Sequence, residues 1–149
     1  MIQEGMVRQI FCFFLAIPSV LNAQEISIKC DLEFQRIQSS GNIQNSSITR
    51  YYIINDSAQK LYIYSPSSGD RSNPCGSEYC TWSYGKERIS YSQTMNLQIT
   101  RSQTDFLLNR VTGRLTHTNV SDMGNGTTSF KAEGMCEPSP LPPLAVPKF

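Results

Sequence analysis

The amino-acid sequence predicts an all-β fold: an antiparallel small barrel or sandwich of seven to nine short strands, stapled by disulfides and followed by an extended Pro-rich C-terminal tail. Apolar residues occupy every second position from Ile26 to Phe34, and polar residues fill the positions between them. Because successive side chains of a strand point to opposite faces, this alternation predicts a strand with one buried face. Turn-forming residues then recur at short intervals, and no helical periodicity is sustained.

The N-terminal segment has the parts of a secretory signal. Arg8 supplies positive charge, residues 10–17 form an apolar run, and Ala23 is a small residue suited to cleavage. The apolar run is far shorter than the roughly 20 residues that span a bilayer, so we expect no membrane span. The segment predicts a signal peptide over residues 1–23 and a secreted or periplasmic protein.

Four of the five cysteines lie outside this signal, and an even number in an exported domain predicts two disulfides. They are Cys30, Cys75, Cys80 and Cys136. Three pairings are possible, and we favour Cys75–Cys80 within one loop and Cys30–Cys136 between the first and last strands. Structural zinc needs four ligands, usually in paired short spacings, and this chain offers one short pair and one histidine. We therefore expect no metal and no cofactor.

The size and charge of the chain point to one domain that does not bind nucleic acid. Removal of 23 of the 149 residues leaves 126, which suits a single domain with a real core, predicted over residues 24–137. The formal net charge is +1, and no basic stripe is present. This balance argues against a nucleic acid partner, and we expect a monomer.

Short apolar runs and turn residues divide the domain into its elements. Both arms of a hairpin around residues 56–60 are rich in Tyr and Ile, which suit a half-buried pleated surface. Residues 66–76 form the longest stretch without strand character. The predicted strands cover residues 26–35, 48–55, 61–64, 81–84, 89–92, 95–100, 105–109, 114–120 and 127–136, and a polar loop covers residues 39–47.

The tail over residues 138–149 contains five prolines and cannot join the interior of a sheet. It predicts an extended, polyproline-like segment that is either packed on the domain or free. Residues 140–143 also fit the spacing of a P-x-x-P ligand.

The sequence offers little that could support catalysis. His117 is the only histidine, and it shares a strand face with Leu115, which predicts a partly buried position. No serine lies in a nucleophile-elbow context, and no phosphate-binding or zinc-protease motif is present. We therefore expect no enzyme; the alternative is a hydrolase that uses His117 or a pair of carboxylates.

Aromatic residues suggest a binding role. If Leu61 and Ile63 face the core, their neighbours Tyr62 and Tyr64 face outward. Exposed aromatic residues mark interaction surfaces, although cross-strand aromatic packing also explains them. The candidates for an interaction surface are Tyr62, Tyr64, Tyr79, Trp82 and Tyr84. We expect a non-catalytic binding module whose partner is an envelope protein or a small ligand, and the alternative is a small-molecule carrier with a barrel cavity.

Short motifs in the last third of the chain carry a resemblance. Residues 107–113 read Leu-Leu-Asn-Arg-Val-Thr-Gly, Gly134-Met135-Cys136 follows, and the chain ends in Lys148-Phe149. With these motifs the chain resembles small exported bacterial proteins of uncharacterised function. The early cysteine is also similar to that of periplasmic C-type lysozyme inhibitors, which are disulfide-closed β-barrels. Residues 67–69 match their inhibitory S-x-S-G-x-x-Y loop only in part, so we assign no inhibitory residue.

Overall fold

Nine antiparallel strands build the domain, which confirms the predicted all-β class. The computed structural model describes residues 25–144, so the predicted signal peptide and the last five residues lie outside the described part. This part contains no helix long and apolar enough to cross a membrane. The strands are β1 (Glu25–Ile37), β2 (Ile43–Asn55), β3 (Lys60–Tyr64), β4 (Arg71–Ser72), β5 (Cys80–Tyr84), β6 (Arg88–Asn96), β7 (Arg101–Asn109), β8 (Arg114–Asp122) and β9 (Thr127–Pro138).

All nine strands form one sheet in the order β4-β3-β2-β1-β9-β8-β7-β6-β5. Neighbours in the sheet are also neighbours along the chain, except that β1 pairs with β9. The sheet curls into a half-barrel, which brings β2 opposite β7 across the interior, and the ring centroids of Tyr52 and Phe106 lie 5.8 Å apart. Strands β4 and β5 are the two edges of the sheet, and the loop between them spans the remaining gap.

The core lies on the inner face of the curled sheet. The longer strands contribute alternate residues to this face, as the sequence pattern predicted for β1. One row runs straight across five paired strands and is largely aromatic. Its members are Trp82, Tyr91, Phe106, His117 and Ala132. Tyr91 stacks on Phe106 with ring centroids 4.9 Å apart, so side chains fill the middle of the half-barrel.

Both favoured disulfides are present. Cys30 and Cys136 are direct cross-strand partners of β1 and β9, with 4.0 Å between their Cα atoms. Cys75 and Cys80 close the loop between β4 and β5, with 5.4 Å between their Cα atoms. One disulfide therefore joins the first strand to the last, and the other pins the loop between the two edges.

Several predicted boundaries were wrong, and backbone pairing explains them. Residues 43–47, assigned to a polar loop, belong to β2 because they pair with residues 33–37 of β1. Strand β4 lies within the stretch predicted to lack structure and pairs with β3. Residues 97–100, predicted as strand, form a turn closed by hydrogen bonds between Leu97 and Thr100. Strands β1, β2 and β9 are also longer than expected, with 13, 13 and 12 residues.

The described part of the tail packs on the outer face of the sheet. Strand β9 continues to Pro138, which pairs with Ile28 at the start of β1. Residues 139–144 then cross the outer face, where Ser139 is bonded to Ser27 and Pro142 to Tyr64. Of the two arrangements that the sequence left open, these residues adopt the packed one.

Candidate functional site

The interior holds the single histidine in an aromatic environment. The ring of His117 lies 5.2 Å from that of Phe130 and 5.9 Å from that of Phe106, measured between centroids. His117 is only 8% exposed, so it is more buried than predicted, and no described residue hydrogen-bonds to its Nε2 atom. Burial, with a smaller contribution from Arg50, lowers the pKa of His117 to about 4. The neutral ring packs like a core residue.

At the lower end, defined by the β2–β3, β5–β6 and β7–β8 turns, a polar cluster closes the half-barrel. Arg110 donates to both carboxylate oxygens of Asp56, at 2.9 and 3.0 Å, and Tyr84 donates its hydroxyl to the same carboxylate at 2.6 Å. Trp82 Nε1 donates to the carbonyl of Gln59 at 3.2 Å. These bonds tie the tip of the β2–β3 hairpin to β5 and to the β7–β8 turn.

Contacts within the cluster shift the pKa values of Asp56 and Tyr84, as they do in a structural ion pair. Hydrogen bonds from Arg110 and then Tyr84 lower the pKa of Asp56, and burial followed by the bond to Asp56 raises the pKa of Tyr84. An open cleft of about 390 Å³ borders this cluster and includes Lys86. The Asp56 and Arg110 charges neutralise each other, and the cluster joins the strands as a clasp.

The outer face carries a pair of facing carboxylates, the arrangement that the hydrolase alternative requires. Glu33 and Glu133 are direct partners across β1 and β9. Glu133, however, forms an ion pair with Lys131 at 2.9 Å, and the bond to Lys131 lowers its pKa. The pair lies on a convex, solvated face. Among the described residues, no group of three or more His, Cys, Asp or Glu side chains could hold a metal ion.

Three turns lie side by side at the opposite end of the sheet and form what we call the upper rim. Strands β1, β6 and β8 run in the same direction, so the turns that follow them, residues 38–42, 97–100 and 123–126, share one end. A Cβ atom built on Gly126 would collide with the side chain of Ser39, and one built on Gly124 would lie 3.6 Å from the carbonyl oxygen of Ile99. The β8–β9 turn therefore touches both other turns, and the rim is continuous.

Exposed apolar side chains gather at this rim. Five large aliphatic residues lie in its turns or at the strand ends beside them, and Ile99 is the most exposed of them at 77%. They are Ile37, Ile43, Leu97, Ile99 and Met123. The charged residues Arg101 and Asp122 sit just below as cross-strand partners of opposite sign. Aliphatic groups clustered on one exposed edge are typical of an interaction surface.

The loop over residues 73–80, which we call the pinned loop, lies beside this rim. Its disulfide joins Cys75 to Cys80, and Gln93 Nε2 donates to the hydroxyl of Ser77 at 3.0 Å. The amide of Thr94 donates to the carbonyl of Tyr79 at 3.3 Å, which anchors the loop to the upper part of β6. Tyr79 itself is 59% exposed. The loop therefore presents an aromatic side chain on a rigid support.

The five aromatic residues predicted as one interaction surface lie in three places. Tyr79 lies on the pinned loop, and Trp82 and Tyr84 face inward at the lower clasp. Tyr62 and Tyr64 face outward on β3, as predicted, next to the tail. The sequence did not predict an aliphatic rim, because Leu97 and Ile99 fitted the alternation of a strand. The turn-forming residues of the neighbouring segments were the sequence signal that could have located these aliphatic residues at the rim.

Comparison of the chain with models of protein families, with curated proteins and with solved structures finds no match in any of the three. The resemblances to small exported bacterial proteins and to lysozyme inhibitors stay predictions.

Proposed function

We propose that this protein is a non-catalytic binding module that recognises a protein partner in the cell envelope through the upper rim and the pinned loop. One observation carries the proposal: three contiguous turns and the strand ends beside them expose five large aliphatic side chains at one end of a half-barrel whose interior is filled. A rigid scaffold with an apolar edge has the features that protein interfaces use. The exposed Tyr79 adds the kind of aromatic residue that is enriched in interface cores.

The chemistry of the rim favours a protein over a membrane as the partner. Segments that bind membrane surfaces combine Trp or Phe with several Lys and Arg residues. The rim turns contain Ser, Thr, Gln, Asn, Gly and aliphatic residues, and they contain no Lys, Arg, Trp or Phe. Aliphatic tips surrounded by uncharged polar residues suit the apolar centre of a protein interface with a polar margin.

A small-molecule carrier is less well supported. Tyr52, Tyr91 and Phe106 fill the space that a ligand would need, and a small apolar cavity of about 200 Å³ remains at the lower end, beside Ile28 and Leu108. Drug-sized ligands occupy roughly 300–1,000 Å³. A hydrolase is also less well supported, because the His117 ring is caged by aromatic side chains and Glu133 is paired with Lys131.

The proposed compartment follows from the disulfides. Such bonds form and persist in oxidising surroundings, so two of them are consistent with an extracellular or periplasmic location. With the predicted signal peptide, they support export to the envelope or the medium.

A cross-linking experiment tests the rim, and the chain offers a matched control. Ile99 lies in an upper turn, and Val111 lies in a lower turn with a similar exposure of 74%. A photoreactive phenylalanine analogue is placed at either position in the exporting host. We expect one discrete adduct from position 99 and none from position 111. With the partner then identified and purified, Ile99→Asp is expected to weaken binding at least about tenfold and Val111→Asp less than about twofold. Equal adducts at the two positions, or equal losses, contradict the proposal.

A further inference from the structure

Ile53 is buried although it lies on the outer face of the sheet, away from the core. It is 1% exposed, yet it does not belong to the cluster of packed core residues. Its neighbours Tyr52 and Ile54 face the interior, so Ile53 faces outward. A side chain on the outer face can be fully buried only if other groups lie over it. Here a part of the chain outside the sheet does so.

The cover includes the chain's own proline-rich tail. Ser27 pairs with Ile53 in the sheet. Ser27 Oγ donates to the carbonyl of Ser139 at 2.6 Å, and the amide of Ser139 donates to the backbone carbonyl of Ser27 at 3.0 Å. Further along, the hydroxyl of Tyr64 donates to the carbonyl of Pro142 at 3.4 Å. The tail therefore passes over β2 between these two anchor points.

Three tyrosines lie around Ile53 on the outer face, and Ile53 forms the floor of a groove between them. Tyr62 is the cross-strand partner of Ile53, and Tyr51 is the partner of Tyr64 in the next outward-facing row. We call Tyr51, Ile53, Tyr62 and Tyr64 the tyrosine groove. Proteins that bind polyproline helices use aromatic-lined grooves in which hydroxyl or indole groups donate to the carbonyls of the ligand. The groove and the tail show this pairing of an aromatic donor with a proline carbonyl.

We propose that the tyrosine groove is a binding site for proline-rich peptides in the polyproline II conformation, and that the tail is the exchangeable ligand that fills it in cis. The segment over residues 139–144 reads Ser-Pro-Leu-Pro-Pro-Leu, which favours this conformation before it binds. Such a preformed ligand loses little conformational entropy on docking. The site lies away from the upper rim, so it is independent of the surface proposed above.

The tail makes fewer hydrogen bonds to the sheet after Ser139, which makes its exchange for another peptide feasible. Three of residues 140–143 are prolines and have no N–H group to donate. Beyond Ser139, one hydrogen bond of 3.4 Å joins the described tail to the groove. Leu144 touches Gly69 yet stays 56% exposed. Occupancy by the tail thus depends on its being attached to the same chain, which raises its effective concentration to about the millimolar range.

A competition experiment on the full chain tests the proposal. The tail variant carries Leu141→Ser, Pro142→Ser and Leu144→Ser, and the probe is a fluorescent peptide with the native sequence of residues 138–149. Because the attached tail no longer competes, we expect the tail variant to bind the peptide at least about tenfold more tightly than the unmodified protein. An analogue of the peptide with alanine in place of every proline is expected to lose this binding.

Variants of the tyrosines locate the site. Tyr64→Ala in the tail variant is expected to weaken peptide binding at least about fivefold, since it removes both the hydroxyl donor and the ring. Tyr79→Ala is the control, because Tyr79 is exposed and lies on the pinned loop, and it is expected to change binding less than about twofold. The intact mass with two disulfides and the fluorescence of Trp82 report whether each variant is folded.

Two results would overturn the proposal. One is a folded tail variant that binds the peptide no more tightly than the unmodified protein; the tail would then be a fixed part of the fold. The other is binding that Tyr64→Ala leaves unchanged. If the triple variant does not fold, Leu144→Ser alone replaces it, because this side chain is half exposed, and an increase in affinity of at least about threefold is expected. No increase with this variant also overturns the proposal.

Discussion

The backbone amide of Cys136 donates a hydrogen bond to the carbonyl of Gly113, with 2.8 Å between nitrogen and oxygen. This bond joins the two motifs that stood out in the last third of the sequence. The side chain of Asn109 accepts hydrogen bonds from the amides of Val111 and Thr112 and so shapes the turn that carries Gly113. The Asn-Arg-Val-Thr-Gly element is therefore a structural turn that docks beside the Cys30–Cys136 disulfide.

Substitution of Gly113 should be costly for two separate reasons. Its φ of 76° lies in the left-handed region, and a Cβ atom would meet the carbonyl oxygen of Cys136 at 2.5 Å. Gly41 has a φ of 79° with no atom within 4 Å of its Cβ position, so it is the matched control. We expect Gly41→Ala to cost about 1 kcal/mol of unfolding free energy and Gly113→Ala clearly more. Urea denaturation measures both, and equal losses would show that the contact with Cys136 is unimportant.

The two disulfides should differ in their contribution to stability. Cys30–Cys136 closes a separation of 106 residues and Cys75–Cys80 one of 5 residues. In the loop-entropy model, the first restricts the unfolded chain by about 4–5 kcal/mol and the second by about 2 kcal/mol. We expect Cys30→Ala with Cys136→Ala to lower the free energy of unfolding more than Cys75→Ala with Cys80→Ala. Similar denaturation midpoints for the two double variants would contradict this ranking.

The free energy of unfolding should decrease as the pH is lowered through a window set by the pKa of His117. The pKa of this residue is about 4 in the folded protein, against 6.5 for an ordinary histidine. Between these values the unfolded chain binds a proton that the folded protein excludes, so stability is complete above about pH 6.5 and declines toward pH 4. Between about pH 7.5 and pH 5 we expect a loss of about 2 kcal/mol.

The variant His117→Leu assigns this loss. It removes the titrating ring and keeps the position apolar, so its stability is expected to change little over the same pH window. The carboxyl groups with lowered pKa values titrate below this window and do not interfere. An equal loss in the wild type and in His117→Leu would assign the pH dependence to other groups.

Loosening the lower clasp should be visible through the single tryptophan. Asp56→Asn keeps a partner for Tyr84 but removes the charge that binds Arg110. Because the Asp56 side chain is 45% exposed and water screens the pair, we expect a loss of only about 1 kcal/mol. The fluorescence of Trp82, whose indole is bonded to the same hairpin, should shift to the red as its surroundings gain water. Asp70→Asn in an exposed loop is the control and should leave the spectrum unchanged.

Local patterns made much of the fold predictable. Alternation from Ile26 to Phe34 predicted β1, because one face of that strand is buried and the other is wet. The turn at residues 123–126 carries glycines that tolerate the required backbone, and Gly124 has a φ of 78°. The favoured disulfide pairing followed from placing Cys30 and Cys136 on the first and last strands.

Other features depend on contacts between distant residues, which no local pattern contains. The Asp56–Arg110 clasp joins positions 54 apart in the chain, and the tail returns from the end of the chain over the outer face near Ile53. Residues 43–47 lack strand propensity and become a strand by pairing with β1. The upper rim likewise exists because the order of the strands in the sheet places three separate turns side by side.

The pairing of the first strand with the last has a consequence for maturation. Of the four disulfide-bonded cysteines, Cys30 is synthesised first and its partner Cys136 last, with Cys75 and Cys80 between them. An oxidase that joins cysteines in their order of emergence therefore links Cys30 to Cys75. Each such molecule must exchange that bond for the native one by attack of a free thiolate on a disulfide sulfur. The yield of native protein therefore depends on the supply of disulfide isomerase in the host as well as on the supply of oxidant.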